Sequence, residues 1–449
     1  MKHVTGIKAF NLKIHKKRGN YHMDKQYIKT QLTQDRYIDF AFERYRQFKQ
    51  SSSYDESYKY EILSELNTYL QNVEITFENV VEIINKLRES NPSSGSFVFW
   101  SNLSDLHEYA SEFPEAAAAG LEALYKNEDV PLNERIESFR NRAKEANPNI
   151  RLGAPLFGYM LAAYDYRKYP LYKEEVFQHV KKVFGIKTKL RSVSENYQDF
   201  YDLCEVAQQY FTAKGYTVNL LDVQDFFYCI TKKDSVKTEC AVDFLFYVSN
   251  QLNEFKQDTQ RFIHEIRQLD RKILEKKRKS YANTEKINKI RYHILDYILN
   301  NQTIVLEEIE QIKNEVSRQY DTNILQSWKN FTILFPLYYD SIEEKVKICL
   351  SHIHEAIRKL DGLKNIDLED AHVMKDFNWK QNFGDTHSWL AVYPKNQKTH
   401  RTAAQLYFGV FENKIIYGMM YGSEHPKRGE EYITLLDNAE EFTYEEMRK

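Results

Sequence analysis

Residues that end or bend regular secondary structure are scarce in this chain. It has 14 glycines and 9 prolines among 449 residues, against an average usage of roughly 7% Gly and 5% Pro. Many-stranded β-folds need frequent turns, and nucleotide-binding loops need clustered glycines. The shortage therefore argues against both. It favours long helices that pack through aromatic side chains, which are abundant here (33 Tyr, 27 Phe and 4 Trp).

Charge and cysteine content narrow the class of protein further. The 63 Lys and Arg nearly balance the 65 Asp and Glu, for a formal net charge of −2, so a site for a polyanion must be a local patch. The four cysteines form no CxxC motif, which indicates neither a zinc knuckle nor a disulfide framework. Neither a signal peptide nor an 18-residue apolar stretch is evident. We expect a cytoplasmic protein with no membrane partner.

The apolar pattern divides the chain into four predicted segments and makes its fold class mainly α. The segments are 1–92, an N-terminal arm and helical segment; 93–190, a helical module; 191–366, a helical segment with a long hairpin; and 367–449, a small mixed α/β domain. Residues 1–22 are basic, and their apolar residues alternate, so an edge strand and a basic arm both remain open.

Individual helices follow from the spacing of apolar residues. Tyr37, Phe40, Ala41, Tyr45 and Phe48 have the i, i+3, i+4 spacing of an amphipathic helix. The segment from Pro155 to Ala163 is apolar on nearly every side, which predicts a buried helix. Gly185 is placed to cap the helix that precedes it.

A heptad pattern predicts a long antiparallel helical hairpin at about residues 246–320. One apolar seam runs from Leu252 to Ile273 with 3-4 spacing, and a second runs from Ile287 to Val316. Two seams in one chain favour a self-paired hairpin over a dimer zipper. The basic run Lys276–Lys279 lies between the seams, where it is either a phosphate contact or a solvated loop.

The C-terminal segment has a different pattern. WLAVYP, AAQLYFGVF and KIIYGMMYG are short apolar runs typical of strands, and FENK between the last two predicts a hairpin turn. We predict a terminal helix in the acidic end, DNAEEFTYEEMRK.

Familiar catalytic motifs are absent from the sequence. It contains no GxxxxGK[ST], GxSxG, HExxH, GxGxxG or CxxC, so we predict no catalytic residue, metal ligand or cofactor. Glu343, Glu344 and Lys345 are the residue types of a metal-dependent nuclease, but they fall in a helical stretch where they are typical of a solvated face. His352 and His354 are two residues apart on that helix and cannot share one metal ion.

Aromatic and basic side chains are interleaved between residues 377 and 426. Such a mixture suits a nucleobase pocket, with rings for stacking and cations for phosphates. Strands also use aromatic residues to fill a core, and alternation predicts Leu390 and Val392 as core, with Trp389 and Tyr393 facing a pocket or a second core. The candidate nucleic-acid-binding residues are Trp379, Trp389, Tyr393, Tyr407, Tyr417, Tyr421, Lys395, Lys398, His400 and Arg401.

Residues 377–426 resemble part of the N-terminal, non-GTPase region of McrB-type restriction proteins. The matching features are Ser388-Trp389 at the start of a strand, the turn at Lys398–His400, the strand entry Ala403-Ala404-Gln405-Leu406, and the pairs Tyr417-Gly418 and Tyr421-Gly422. The helical block at 97–185 is similar to regions that precede GTPase modules in such proteins.

The resemblance implies a function. McrB-type proteins are prokaryotic defence proteins that recognise foreign or modified DNA, in some relatives by flipping a base into an aromatic pocket, and hydrolyse GTP with a separate AAA+ module. That module is not found in this sequence, so the resemblance implies either a specificity fragment of a longer protein or a subunit that relies on separate AAA+ GTPase or ATPase and nuclease subunits. In both cases the implied role is DNA recognition. The alternatives are a helical protein–protein scaffold and, third, a metal-dependent nuclease.

Overall fold

We analysed a computed structural model of the chain. It describes residues 24–34, 36–269, 271–283, 287–303, 305–308, 311–312, 335–360, 371–377, 387–426 and 440–443. The prediction for residues 1–22 lies outside these ranges. In chain order the helices are α1 (Lys25–Gln34), α2 (Tyr37–Gln50), α3 (Tyr58–Asn72), α4 (Val80–Ser90), α5 (Trp100–Glu112), α6 (Pro114–Lys126), α7 (Leu132–Ala146), α8 (Ala154–Asp165), α9 (Glu174–Val183), α10 (Val193–Ala213), α11 (Leu220–Lys232), α12 (Asp234–Gln257), α13 (Thr259–Gln268), α14 (Arg271–Ala282), α15 (Ile287–Asn300) and α16 (Phe335–Arg358).

The described residues fall into two compact units, each built from two pieces of chain. Unit 1 takes in the described parts of Met1–Gln34 and Ser57–Gln224, and unit 2 those of Asp35–Glu56 and Asp225–Lys449. The four predicted segments follow the chain, whereas the units do not, because α2 packs on the distant helix α12. Across the described residues, no helix combines the length and apolarity that crossing a membrane requires.

Helix α8 forms the centre of unit 1, which confirms the predicted buried helix. Its residues from Leu156 to Ala163 are buried on all sides, and the Tyr159 hydroxyl donates to the Leu87 carbonyl oxygen at 2.8 Å. Close packing also depends on Gly158, where a Cβ would lie 2.7 Å from the Tyr172 backbone nitrogen. Gly185 ends the α9 region with a φ of 67°, as its predicted capping role requires.

In unit 2, α2 packs along α12 through aromatic and charged contacts. The rings of Tyr37 and Phe244 meet edge to face with centroids 5.7 Å apart. The Arg44 guanidinium donates two hydrogen bonds to the Asp243 carboxylate, from Nε to Oδ2 at 2.5 Å and from Nη2 to Oδ1 at 2.9 Å. Helix α16 packs on α12 as well, so α12 contacts both α2 and α16.

Within the predicted hairpin range of about 246–320, α14 and α15 form a short antiparallel pair, and the first seam is divided among α12, α13 and α14. Arg271 donates to the Leu299 carbonyl and Arg278 to Asp296, as in an antiparallel pair. Phe262 and Ile266 of the seam are buried, but Ile273 is 54% exposed. Helix α12 ends at Gln257 and α13 at Gln268, so the seam does not lie on one continuous helix. Residues beyond Asn300 in the second seam fall largely outside the described ranges.

The C-terminal part of unit 2 contains an antiparallel sheet with the strand order β1-β2-β3-β4-β5. The strands are β1 (Ala371–Phe377), β2 (Ser388–Pro394), β3 (Ala404–Val410), β4 (Lys414–Tyr421) and β5 (Glu440–Thr443). The Phe411 amide donates to the Lys414 carbonyl at 2.9 Å, which confirms the predicted hairpin turn. The predicted terminal helix is wrong at residues 440–443, because they pair with β4 as a strand. Helix α16 packs against β1 and β2, and α12 against β3.

Candidate nucleic-acid interface

The loop between β2 and β3 carries the basic residues of the candidate site. Residues 395–403 contain Lys395, Lys398, His400 and Arg401 and no acidic residue. All three lysine and arginine side chains are exposed. Arg401 forms an exposed ion pair with Glu424 at 3.4 Å, and such pairs are weak in water. The loop therefore presents a local positive patch on a chain whose net charge is nearly zero.

Hydrogen bonds within the loop fix its shape. The Thr399 hydroxyl accepts from the Arg401 amide at 3.2 Å and starts a short 3₁₀ turn over His400–Thr402. The loop is also tied to the end of β4, since the Gly422 amide donates to the Ala403 carbonyl at 2.9 Å and the Glu424 amide to the Arg401 carbonyl at 2.7 Å. The basic side chains are therefore carried by a loop whose backbone is held in place by hydrogen bonds.

Three of the predicted aromatic residues lie together on one face of the sheet. Tyr407 is paired with Ala391 across β2 and β3, which places it on the face of Trp389 and Tyr393. The rings of Trp389 and Tyr407 stack with centroids 6.1 Å apart. The His400 ring lies 5.3 Å from that of Trp389 and 6.4 Å from that of Tyr393. Trp389, Tyr393 and Tyr407 thus form an aromatic cluster on this face of the sheet. The basic loop contacts the aromatic cluster through His400.

The aromatic cluster is a packed second core rather than an open pocket. Trp389 and Tyr393 are each only 8% exposed, and Leu390 and Val392 on the other face are buried too. The prediction that Leu390 and Val392 form core is confirmed. For Trp389 and Tyr393 the structure selects the second of the two predicted alternatives, because neighbouring rings cover them.

The remaining predicted residues are not brought into this cluster. Tyr417 is paired with Phe408, so it projects from the opposite face of the sheet, where it is 41% exposed. Tyr421 shares that face by alternation, and its ring stacks on His425 with centroids 4.3 Å apart. Trp379 lies outside the described residues.

Two polar residues near the cluster were missed by sequence reasoning. Gln405 is two positions before Tyr407 and thus on the aromatic face, where it is 6% exposed. Ser388 at the start of β2 is fully buried. Within the described part of the chain, neither the Gln405 Oε1 nor the Ser388 hydroxyl has a hydrogen-bond partner. The two-residue spacing of Gln405 and Tyr407 predicts that they share one face of the strand. The burial of Gln405, however, depends on the side chains that cover it in the folded protein.

A second basic surface lies on the helical hairpin. Helix α14 carries six Lys and Arg with one Glu. Arg271 and Arg278 are paired with Glu275 and Asp296, while Lys276 and Lys279 are exposed. The basic run, predicted as a tip loop or a phosphate contact, is helical.

The residues weighed for a nuclease do not converge on one point. Glu343 pairs with Lys347 at 2.6 Å, Glu344 is exposed, and Lys345 lies 4.8 Å from the ring centroid of Tyr37. His352 is 4% exposed. Over the described ranges, no three His, Cys, Asp or Glu side chains are grouped as a metal ion would need.

Comparisons with known proteins returned no relative. No protein-family model, curated protein or solved structure matches the chain.

Proposed function

We propose that this chain is a DNA-recognition component of a prokaryotic restriction or anti-phage system. In this proposal the β2–β3 loop contacts the phosphate backbone through Lys395, Lys398 and Arg401. The observation that carries it is the loop itself, which holds three exposed cations with no intervening carboxylate and includes a hydrogen-bonded 3₁₀ turn that carries Arg401. Phosphate contacts of this kind position a protein on DNA and supply most of its salt-dependent affinity.

Two further features support a polyanion rather than a single phosphate as the ligand. Exposed Lys276 and Lys279 on α14 give unit 2 a second basic surface, where a polyanion would find further cations. His400 connects the loop to Trp389 and Tyr393. A base that displaced the His400 ring would meet an aromatic surface suited to stacking. Specificity for foreign or modified DNA would reside in this cluster.

Bond cleavage is assigned in this proposal to partners. Glu343 pairs with Lys347, whereas Lys345 lies over the Tyr37 ring. These separate contacts do not favour a nuclease site there. An AAA+ GTPase or ATPase and a nuclease subunit would act on the DNA that this cytoplasmic chain binds.

The test is direct binding of the full chain to duplex DNA. Fluorescence anisotropy with a labelled duplex, unmodified or methylated, is measured over a salt series. We expect K395Q/K398Q/R401Q to weaken binding and to flatten the slope of log affinity against log salt by about 2 to 3, since each phosphate contact contributes about 0.9.

A charge-matched control separates the loop from general charge. K182Q/K187Q/K189Q also removes three exposed lysines, in unit 1, and should leave both affinity and slope nearly unchanged. Equal weakening by the two triple variants contradicts the assignment of the loop. Failure of unmodified and methylated duplexes alike to bind at low salt contradicts the proposed function.

A scaffold role is the second candidate, and one observation favours it. Phe99 and Trp100, adjacent at the start of α5, are 78% and 47% exposed, and exposed aromatic pairs are typical of protein interfaces. If the chain is a scaffold, F99S/W100S should abolish co-purification with a subunit encoded beside it while the loop triple variant should not.

A further inference from the structure

Unit 1 contains a cavity of about 750 Å³ that the proposed DNA-binding function does not use. It is bounded by α1, the connection from α6 to α7, the turn after α8, and α10. Small-molecule sites typically occupy about 300–1,000 Å³. Its size therefore suits a ligand of nucleotide or smaller dimensions.

A buried arginine lines this cavity without a carboxylate partner. Arg135 is 8% exposed. Its Nη1 donates to the Leu124 carbonyl oxygen at 2.7 Å, and its Nε is buried and has no hydrogen-bond partner among the described residues. No ion pair to Arg135 occurs among the residues for which the structure gives side chains. A buried charge is costly unless it is paired. An anion in the cavity would pair with the Arg135 guanidinium and so lower this cost.

The carboxylates of the cavity are already engaged by other cations. Lys25 contacts Asp202 at 3.1 Å and also binds Glu205, and Gln198 donates to Asp202 at 2.9 Å. Lys168 pairs with Glu128 at 3.2 Å.

A second arginine at this cavity is available as well. Arg167 is exposed and lies over the Tyr166 ring at 5.2 Å, and no carboxylate pairs with it within the described part of the chain. Arg135 and Arg167 are therefore the two cations of the cavity whose charge is not balanced by an ion pair. Guanidinium groups bind phosphate and carboxylate through paired N–H donors.

Tyrosine rings form the apolar part of the wall. Tyr169 and Tyr201 both line the cavity, with ring centroids 6.3 Å apart. Burial raises the pKa of Tyr201 to about 12, so its hydroxyl keeps its proton at neutral pH and can donate. A ligand with a flat or apolar portion would contact these rings while its charged group faces the arginines.

From these contacts we propose that the cavity binds a small organic anion through Arg135, with Arg167 as a second anion-binding residue. The anionic group is a phosphate or a carboxylate, which the same guanidinium donors recognise. Lys25, Asp202 and Glu205 would form the neutralised side of the cavity and hold α1 against α10. The inference depends on unit 1 alone and not on DNA binding.

The experiment uses the full chain and three probes at matched ionic strength: inorganic phosphate, adenosine monophosphate and citrate. Ligand-dependent thermal unfolding is followed over a concentration series, and isothermal titration calorimetry measures affinity. A saturable rise in the unfolding temperature with adenosine monophosphate assigns the phosphate form, and a rise with citrate alone assigns the carboxylate form. No saturable rise with any probe overturns the proposal.

Substitutions locate the site. R167Q, at an exposed position, should weaken binding by about tenfold, the effect of one charge-assisted hydrogen bond. R135Q should weaken it further and, by removing an unpaired buried charge, leave the free protein folded. If R135Q does not fold, R135K and R167Q together carry the test. R142Q removes an exposed arginine of α7 that does not line the cavity and should bind normally. Equal binding by R167Q, R135K and R142Q overturns the proposal.

Discussion

His400 lies against Trp389 with their ring centroids 5.3 Å apart, and the same histidine reaches within 6.4 Å of the Tyr393 ring. A residue of the basic loop therefore closes the aromatic cluster of the sheet. His400 thus links the charged and aromatic parts of the candidate site, so a substitution in one part should alter the other.

H400A should expose Trp389. Loss of the covering ring removes an aromatic contact worth about 0.5–1.5 kcal/mol and opens the indole to solvent. We expect a lower free energy of unfolding and stronger acrylamide quenching of tryptophan fluorescence. The extra quenching should vanish when Trp389 is also replaced by Phe. Unchanged quenching in H400A contradicts the role of His400 as a cover.

G422A should disturb the basic loop. A Cβ at Gly422 would lie 2.1 Å from the His400 carbonyl oxygen and 2.3 Å from that of Arg401. The backbone must move to relieve this contact, at a cost of about 1–3 kcal/mol. We expect reduced stability in denaturant titration together with weaker DNA binding. G153A is the control, because the nearest atom to its Cβ is at an ordinary 3.4 Å.

The buried carboxylate of Asp225 should couple two tyrosines. Its Oδ2 accepts from the Tyr45 hydroxyl at 2.9 Å and the Tyr54 hydroxyl at 2.7 Å, and Asp225 is fully buried. Y45F and Y54F should each lower the free energy of unfolding by about 1–2 kcal/mol. The Y45F/Y54F variant should lose more free energy of unfolding than the two single variants added together. Each single variant still leaves the Asp225 carboxylate one tyrosine hydrogen bond, and the double variant removes both. Simple additivity would contradict this coupling.

The effect of D105N should depend on pH. Hydrogen bonds from the Arg151 side chain and amide hold the pKa of Asp105 below its ordinary value. A carboxylate whose pKa is lower in the folded state stabilises above its unfolded pKa of about 3.9, and this stabilisation is lost as the pH falls through the folded pKa. D105N should therefore unfold at a lower temperature than the parent at pH 7, with the gap closing at acid pH. D129N, at an exposed aspartate, should show no such gap at either pH.

All four cysteines should be unreactive in the folded protein. Cys204, Cys229, Cys240 and Cys349 are buried, and burial raises the pKa of the Cys204 and Cys240 thiols above the usual range. Because the thiolate is the reactive form, 5,5′-dithiobis(2-nitrobenzoic acid) should label no thiol quickly under native conditions and four in denaturant. Rapid native labelling would mean that a cysteine is more accessible than the packing indicates.

Patterns local in the chain were good predictors of the fold. The spacing from Tyr37 to Phe48 marked α2, the all-apolar run after Pro155 marked the central helix α8, and FENK marked the turn between β3 and β4. In each, neighbouring residues alone determine the period or the turn. The helix predicted for the acidic C-terminal segment is wrong at residues 440–443 because their structure depends on a distant strand. Residues 440–443 have helix-compatible composition but pair with β4, a partner that local propensity does not reveal.

In the candidate site, too, local sequence patterns predicted some features and not others. Alternation placed Trp389 and Tyr393 on one face and Leu390 and Val392 on the other, and that assignment needed only the two-residue period of a strand. It could not determine that His400 folds over Trp389, or that Tyr417 belongs to the opposite face. The first depends on how the β2–β3 loop folds back on the sheet, and the second on the register of β3 with β4. The lack of a carboxylate partner for Arg135 had no local signature at all.

The sequence by itself determined a mainly helical chain with an aromatic, strand-forming C-terminal part and a basic loop free of acidic residues. Those properties follow from composition and from periods of a few residues, which act within one element. Only the tertiary structure decided that α2 joins the second unit, that the aromatic cluster is covered, and that an arginine lines a cavity without an ion pair. Each of these depends on residues far apart in the chain, whose contacts are set by packing and burial together.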